Sequence, residues 1–272
     1  MKKFDTNINR SLIAEIESQY HLSELKPFSN LSYNYVLQGY MEDTRIALKL
    51  AIGEASLAQE LLALKAFEGY GGPKIIAASS NMILMECAIP GTSLVSYFLD
   101  REEEAVEIVC NMMGKLHKAP IPNALQEISV LLSYLQRKED RIPTNYLQNA
   151  RKIFETLIAT SGEKVLLHGD LHHDNILRNG GDWIVIDPKG FVGEREYDVA
   201  AFIRNPMNKL LDHQKPYAII DNRIGLFAKI LDVDPDRIYK WYFVQLVLSW
   251  IWALEDGAYN DAKYFEKLLF EL

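Results

Sequence analysis

Cysteine is scarce: Cys87 and Cys110 are the only two in 272 residues, and both lie in apolar surroundings. That excludes a disulfide framework, and a chain of this length buries a sufficient core without one. The two thiols read as reduced packing residues, and the expected compartment is the cytoplasm. Long apolar runs are also missing. The opening stretch, MKKFDTNINRSLI, has no apolar core of signal-peptide length. The most apolar stretch, FVQLVLSWIWAL at 243–254, is too short to span a bilayer and carries Gln245, so it reads as a core helix. Basic residues are the minority, 29 Lys and Arg against 37 Asp and Glu, for a formal net charge of -8 and a pI near 5.3. Such a chain is poorly suited to grip nucleic acid by its phosphates, and its clefts draw cations instead. No internal repeat, low-complexity tract or long linker interrupts it. The expected partner is a small molecule, with no nucleic acid and no membrane; oligomeric state is not readable.

What is present is an ordinary globular composition, 49% hydrophobic and 24% charged. TRIALKLAI (44–52) alternates as a strand, with Ile46, Leu48, Leu50 and Ile52 on one face and Ala47, Lys49 and Ala51 on the other. EASLAQELLALKAF (54–67) has helical spacing, with Leu57, Leu61 and Leu64 on one side. Residues 70–91 read as a turn and two short strands. Beyond them the chain turns helical, over 102–120, near 124–138 and 144–160, and again through 257. The pattern predicts an α+β chain in two lobes. The small β-rich lobe spans 1–86 and the larger, mainly helical lobe 87–272, with a boundary at about 86–91.

HGDLHHDN, residues 168–175, is the densest polar cluster. A short apolar strand, EKVLL, leads into it. NILRNGGDWIVIDP (175–188) comes next as a hairpin turning on NGG. A hairpin brings its open ends together, so Asn175 and Asp187 fall close, on strands ~4.8 Å apart. Two hard oxygen ligands with open positions suit Mg²⁺, which keeps waters and shares its shell with phosphates. Asp170, in the entering loop, is placed to orient a hydroxyl and accept its proton. A zinc or dinuclear hydrolase site built from His168, Asp170, His172, His173 and Asp174 is the competing reading. It lacks ligands from elsewhere in the chain, since His21, His117 and His213 have no metal-type neighbours. His168 reads as a brace for the loop, and His172 and His173 as loop surface.

These residues resemble the protein kinase-like superfamily in its antibiotic-kinase branch. HGDLHHDN looks like the catalytic loop of aminoglycoside phosphotransferases and choline-kinase-type enzymes. IDPKGFVGEREYDVAAFIRNP (186–206), WALEDG (252–257) and MECAIPGTSL (85–94) look like the aminoglycoside/hydroxyurea resistance kinases, which include streptomycin 6-kinases. The resemblance implies a bilobal protein kinase-like fold, with Asp170 as catalytic base and Asn175 and Asp187 holding Mg²⁺. It implies Lys49 on the ATP phosphates with Glu60 as its partner, and a hinge at Glu86, Cys87 and Ala88 that offers backbone groups to adenine. Ser29, Asn30 and Ser32 are the candidates for covering the phosphates, because KPFSNLSYNYVLQGY (26–40) has no glycine before Gly39. His117 and Asp198 are implied as structural, Asp198 capping a helix and tying it to the loop. DPKG replaces the Asp-Phe-Gly of protein kinases, and Lys189 either reaches a phosphate or covers surface.

The acceptor is the open question. Glu194, Glu255 and Asp256 are candidates to hold a guanidinium or ammonium group, although Glu255 and Asp256 also read as a helix end. Arg204 and Asn205 are candidates to line the site. Trp250 and Trp252 read as core. The expected activity moves the γ-phosphoryl group of ATP to a hydroxyl of an aminoglycoside such as streptomycin. The alternative is a metabolic kinase for a sugar or amino alcohol. A non-catalytic nucleotide-binding protein is disfavoured by the intact set Lys49, Asp170, Asn175 and Asp187.

Overall fold

A computed structural model describes residues 6–28, 35–52, 56–137 and 139–270. Alternation of large and small side chains builds the first lobe. In β3 (Thr44–Leu50), Ile46, Leu48 and Leu50 are buried with Leu37 of β2 (Tyr35–Met41) and Leu84 of β5 (Met82–Glu86). With β1 (Leu22–Pro27) and β4 (Ile75–Ser79) these form a five-stranded antiparallel sheet, ordered β1-β2-β3-β5-β4. Helix α1 (Thr6–Tyr20), not expected from the sequence, covers this face through Ile13, Ile16 and Tyr20. Three apolar residues at helical spacing in a polar stretch make a faint signal. On the opposite face, Ala47, Ile83 and Met85 pack against Leu57 and Leu64, the latter on α2 (Ala58–Phe67). Lys49, between Ala47 and Ala51, shares that second face.

The second lobe is organised by α9 (Pro235–Glu255), 21 residues long and buried on most sides. Pro235 starts it and the Asp234 side chain accepts the Asp236 N–H at 3.0 Å, a cap that satisfies one end-group of the helix. Around it pack α4 (Leu132–Leu135), α5 (Thr144–Ala159), α6 (Val199–Ile203) and α8 (Pro216–Leu231); α3 (Glu102–Leu116) packs on α8, and the short α7 (Met207–Leu211) lies between α6 and α8 in the chain. Gln245, the polar interruption of the apolar stretch, donates to the Tyr197 carbonyl at 2.6 Å. Among the described residues, no helix is long and apolar enough to cross a membrane.

Two helical expectations are corrected. The 124–138 segment holds only a 3-10 turn at Ile128–Leu131 and the four-residue α4, because Glu127 is bridged to Val192 and keeps the preceding chain extended. Helix continues past 257: Gly257, at φ 70, turns the chain into α10 (Tyr259–Phe270), whose Ala262, Phe265 and Leu269 join the core. Two small sheets frame the polar cluster. One pairs β7 (Val165–Leu167) with β10 (Phe191–Gly193). The other runs β6 (Pro90–Ser93), β8 (Ile176–Asn179), β9 (Asp182–Val185).

Candidate active site

Strand β7 delivers the chain to His168, and Asp198 fixes the loop that begins there. Its buried carboxylate accepts the N–H of His168 at 3.0 Å and of Gly169 at 2.7 Å, and lies 3.1 Å from His117 Nε2. The expected helix cap is not formed; the Asp198 side chain is spent on the loop instead of on α6. His168 is fully buried, donates Nε2–H to the Ile186 carbonyl at 2.9 Å and accepts the Asp170 N–H at Nδ1 at 3.3 Å. Those bonds define a neutral tautomer, and burial lowers its pKa in the same sense. The Lys189 N–H donates back to the His168 carbonyl at 2.7 Å, stitching the loop to the segment after the hairpin.

The hairpin register pairs Ile176 with Val185, and the Ile186 N–H donates to the Asn175 carbonyl at 3.0 Å. Asn175 and Asp187 are therefore neighbours. Asn175 Nδ2 donates to the Asp170 carbonyl at 2.9 Å, which leaves Oδ1 for another partner. Asp187 sits at φ 59, a left-handed conformation in which a short polar side chain is tolerated best. Its Oδ1 accepts Lys49 Nζ at 2.8 Å, while the side chain remains 44% exposed. Lys49 Nζ also donates to Glu60 Oε1 at 2.7 Å, and its own side chain is only 4% exposed. Burial alone would lower the Lys49 pKa; Asp187 and Glu60 outweigh it and raise it, so the ammonium stays charged. One position earlier on α2, Gln59 Nε2 donates to the Gly190 carbonyl at 3.0 Å. Gly190 is at φ +69, and a Cβ there would sit 2.8 Å from Ala63 Cβ, so α2 rests directly on the loop.

Asp170 is bracketed by basic side chains. Arg204 Nη2 is 3.2 Å from its Oδ1 and His172 Nε2 is 3.7 Å from its Oδ2. Burial would raise its pKa, but His172, Arg204 and Lys189 hold it down at about 2. Asp170 opens on a cavity of about 900 Å³. Lys189 and Arg204 line the near side with it; Tyr134, Trp252, Asp256 and Asp261 also line the cavity.

The structure thus gathers Lys49, Glu60, Asp170, Asn175 and Asp187, and puts Arg204, Asn205 and Asp256 on the cavity. Other expectations are corrected. Glu194 is buried and binds Arg237 at 2.6 and 2.9 Å as well as the Trp241 indole, a packing role away from the acceptor side. Glu255 is not among the cavity-lining residues and pairs with Arg137 at 2.7 Å. Trp250 is in the core as expected, but Trp252 lines the cavity. His173 is not loop surface: it is fully buried, stacked on Phe202 with ring centroids 3.8 Å apart, and approached by Arg223 at 3.5 Å. His172 lines the cavity. Of the hinge N–H groups, those of Glu86 and Cys87 are spent on the Lys74 and Arg45 carbonyls, each at 3.0 Å. Ser29, Asn30 and Ser32 lie outside the described residues. The hydrolase alternative loses its ligands. Both His168 ring nitrogens are occupied, and among the described residues no group of three or more His, Cys, Asp or Glu could hold a metal. Tyr134 and Asp261 were missed, since each lies in a segment whose structure the sequence did not give correctly.

Comparison with known proteins identifies the family. The profile of the aminoglycoside/hydroxyurea antibiotic resistance kinases matches residues 25–257. The streptomycin 3''-kinase of Klebsiella pneumoniae is 30% identical over 199 residues, 70% of this chain and 73% of that protein. The streptomycin 6-kinase of Streptomyces griseus is 25% identical over 230 residues, 79% of this chain and 73% of that protein. In fold, the chain superposes on aminoglycoside phosphotransferase APH(4)-Ia, crystallised with ADP and hygromycin B. The TM-score is 0.70 at 14% identity, over 94% of this chain and 96% of that one. The chain belongs to the aminoglycoside/hydroxyurea antibiotic resistance kinase family, enzymes that phosphorylate hydroxyl groups of small molecules.

Proposed function

We propose that this kinase transfers the γ-phosphoryl group of ATP to a hydroxyl of a streptomycin-type aminoglycoside held beside Asp170. The size of the cavity carries the reading. About 900 Å³ suits a multi-ring ligand and is far more than hydroxyurea, a molecule of a few heavy atoms, would fill. Asp256 and Asp261 on its lining suit the cationic groups of such a ligand, in keeping with the streptomycin kinases among its relatives.

In this reading the lobes divide at about 86–91, residues 1–86 carrying nucleotide and 87–272 the acceptor. Adenine meets the backbone at Glu86, Cys87 and Ala88. With two N–H groups already used in the sheet, the Ala88 N–H is the donor to adenine. Lys49, held charged by Glu60, faces the phosphates. The Asn175 Oδ1 and the exposed side of Asp187 fit a hard cation, because both are oxygen donors with their other polar atoms already engaged. Mg²⁺ bound there would supply charge neutralisation across the phosphates. Asp170, ionised at neutral pH, accepts the acceptor hydroxyl and aims its oxygen. With a pKa of about 2 it is a weak base, so the proton leaves late, as a loose phosphoryl-transfer transition state allows. Lys189 and Arg204 add positive charge beside it.

The edge-on pair Tyr134 and Trp252 supports a second reading, a kinase for a quaternary or primary amino alcohol, since aromatic rings attract such cations. ATP consumption measured across streptomycin, other aminoglycosides, aminocyclitols, hydroxyurea, choline and common sugars separates the two. Fastest turnover on streptomycin is expected. Fastest turnover on hydroxyurea, choline or a single sugar would overturn the proposal.

A further inference from the structure

Arg137 and Glu255 belong to none of the catalytic machinery, yet they join the two elements that carry the aromatic wall of the cavity. Tyr134 lies on α4 and Trp252 on the last turn of α9, and both line the cavity. The two rings meet edge to face, with centroids 5.8 Å apart and planes at 83°. The Arg137 guanidinium lies over the Tyr134 ring, 4.2 Å from its centroid. Its Nη1 donates to Glu255 Oε1 at 2.7 Å. Glu255 is one helical turn beyond Trp252 on the same helix. The contacts therefore close a circuit: Tyr134 to Trp252, along α9 to Glu255, across to Arg137, and back onto Tyr134. Helix α4 has four residues, far below the length at which a helix holds itself together. The position of Tyr134 consequently depends on what brackets it.

We infer that Arg137 and Glu255 are positioning residues that hold Tyr134 against Trp252 and so set the fit of a ring-bearing acceptor. The identity of that acceptor rests on the aminoglycoside reading; the bracket itself does not. Neither residue touches the reacting atoms. Their side chains are 52% and 39% exposed, so the ion pair contributes little to folding stability. Its effect falls on acceptor binding. A planar guanidinium is required, because it stacks on the ring and reaches the carboxylate at once, which a lysine ammonium does only in part.

The test is steady-state kinetics of the full chain as wild type, Arg137→Met, Arg137→Lys, Glu255→Gln and the double variant Arg137→Met/Glu255→Gln. Streptomycin and ATP are varied separately, and melting temperatures are recorded. Arg137→Met and Glu255→Gln should each raise the streptomycin KM about three- to tenfold. The ATP KM, kcat and melting temperature should hardly move, and Arg137→Lys should fall between wild type and Arg137→Met. The double variant should be no worse than Arg137→Met, because residues acting as one unit are not additive. A raised KM in Glu255→Gln with none in Arg137→Met, or additive effects in the double variant, would make Glu255 a direct acceptor contact and overturn the inference. A lowered melting temperature with unchanged KM would do the same by making the pair merely structural. Should wild type fail to phosphorylate streptomycin, the aminoglycoside reading falls. The bracket then stands or falls by the same pattern, measured with whichever acceptor wild type phosphorylates fastest.

Discussion

Replacing Asp198 with alanine tests most directly how the catalytic loop is held. The carboxylate is 0% exposed and serves His168 N–H at 3.0 Å, Gly169 N–H at 2.7 Å and His117 Nε2 at 3.1 Å. Asp198→Ala removes all three bonds and leaves two backbone N–H groups with no protein acceptor, that of His168 buried and that of Gly169 part-buried. At about 1–3 kcal/mol for each group left unsatisfied, the loss is roughly 2–6 kcal/mol. That is a large part of a typical stability of roughly 5–15 kcal/mol, and it should lower the melting temperature by about 4–12 °C. Asp198→Asn should cost less, since one oxygen remains for Gly169 while the amide donor confronts the other N–H. His117→Ala removes only one bond, worth about 1 kcal/mol, and leaves the loop in place. Folded Asp198→Ala enzyme should also turn over slowly, because a shift of about 1 Å in Asp170 is enough to cost 10²-fold in rate. Thermal melts and kcat for the three variants decide the matter. If Asp198→Ala melted with wild type and kept its kcat, something other than this carboxylate would be holding the loop.

Asp170→Ala should bind ATP almost normally, by calorimetry, and lose roughly 10²-fold or more in kcat, as removal of a general base does. Normal turnover with the true acceptor would refute its role. Asp187→Ala should weaken MgATP binding in the same calorimeter, and an unchanged affinity would count against its place at the metal. Burial pushes the Cys110 thiol up to about 12. Burial disfavours the thiolate in the fold, so the contribution is fully present below the ordinary thiol pKa and is lost as pH rises to the folded value. Between about pH 9 and 12, wild type should lose melting temperature faster than Cys110→Ala; parallel curves would exclude the effect.

The parts of the site legible in the sequence were those fixed by short-range geometry. Asn175 and Asp187 are brought together by a hairpin whose turn is written in NGG, and Lys49 is placed by strand alternation. What could not be read was set by partners far along the chain. Glu194 is a carboxylate on a polar stretch until Arg237, 43 residues on, and Trp241 close around it. Glu255 finds Arg137 across 118 residues, and His173 is buried by Phe98, Phe202 and Arg223. Spacing carries no information about such meetings. Helix α1 escaped for a different reason: its apolar stripe is thin, and it covers a surface that the sheet provides, whereas α10 carries a full apolar stripe hidden behind the break at Gly257.

The seam between α2 and the loop after Asp187 has its own consequence. Glu60 grips Lys49, Gln59 grips the Gly190 carbonyl, and Ala63 lies where a Gly190 side chain would be. Swinging α2 outward would mean breaking these together. The three contacts thus bind α2, β3 and the loop after Asp187 into one unit, and a side chain added at Gly190 would be felt at Lys49 as well.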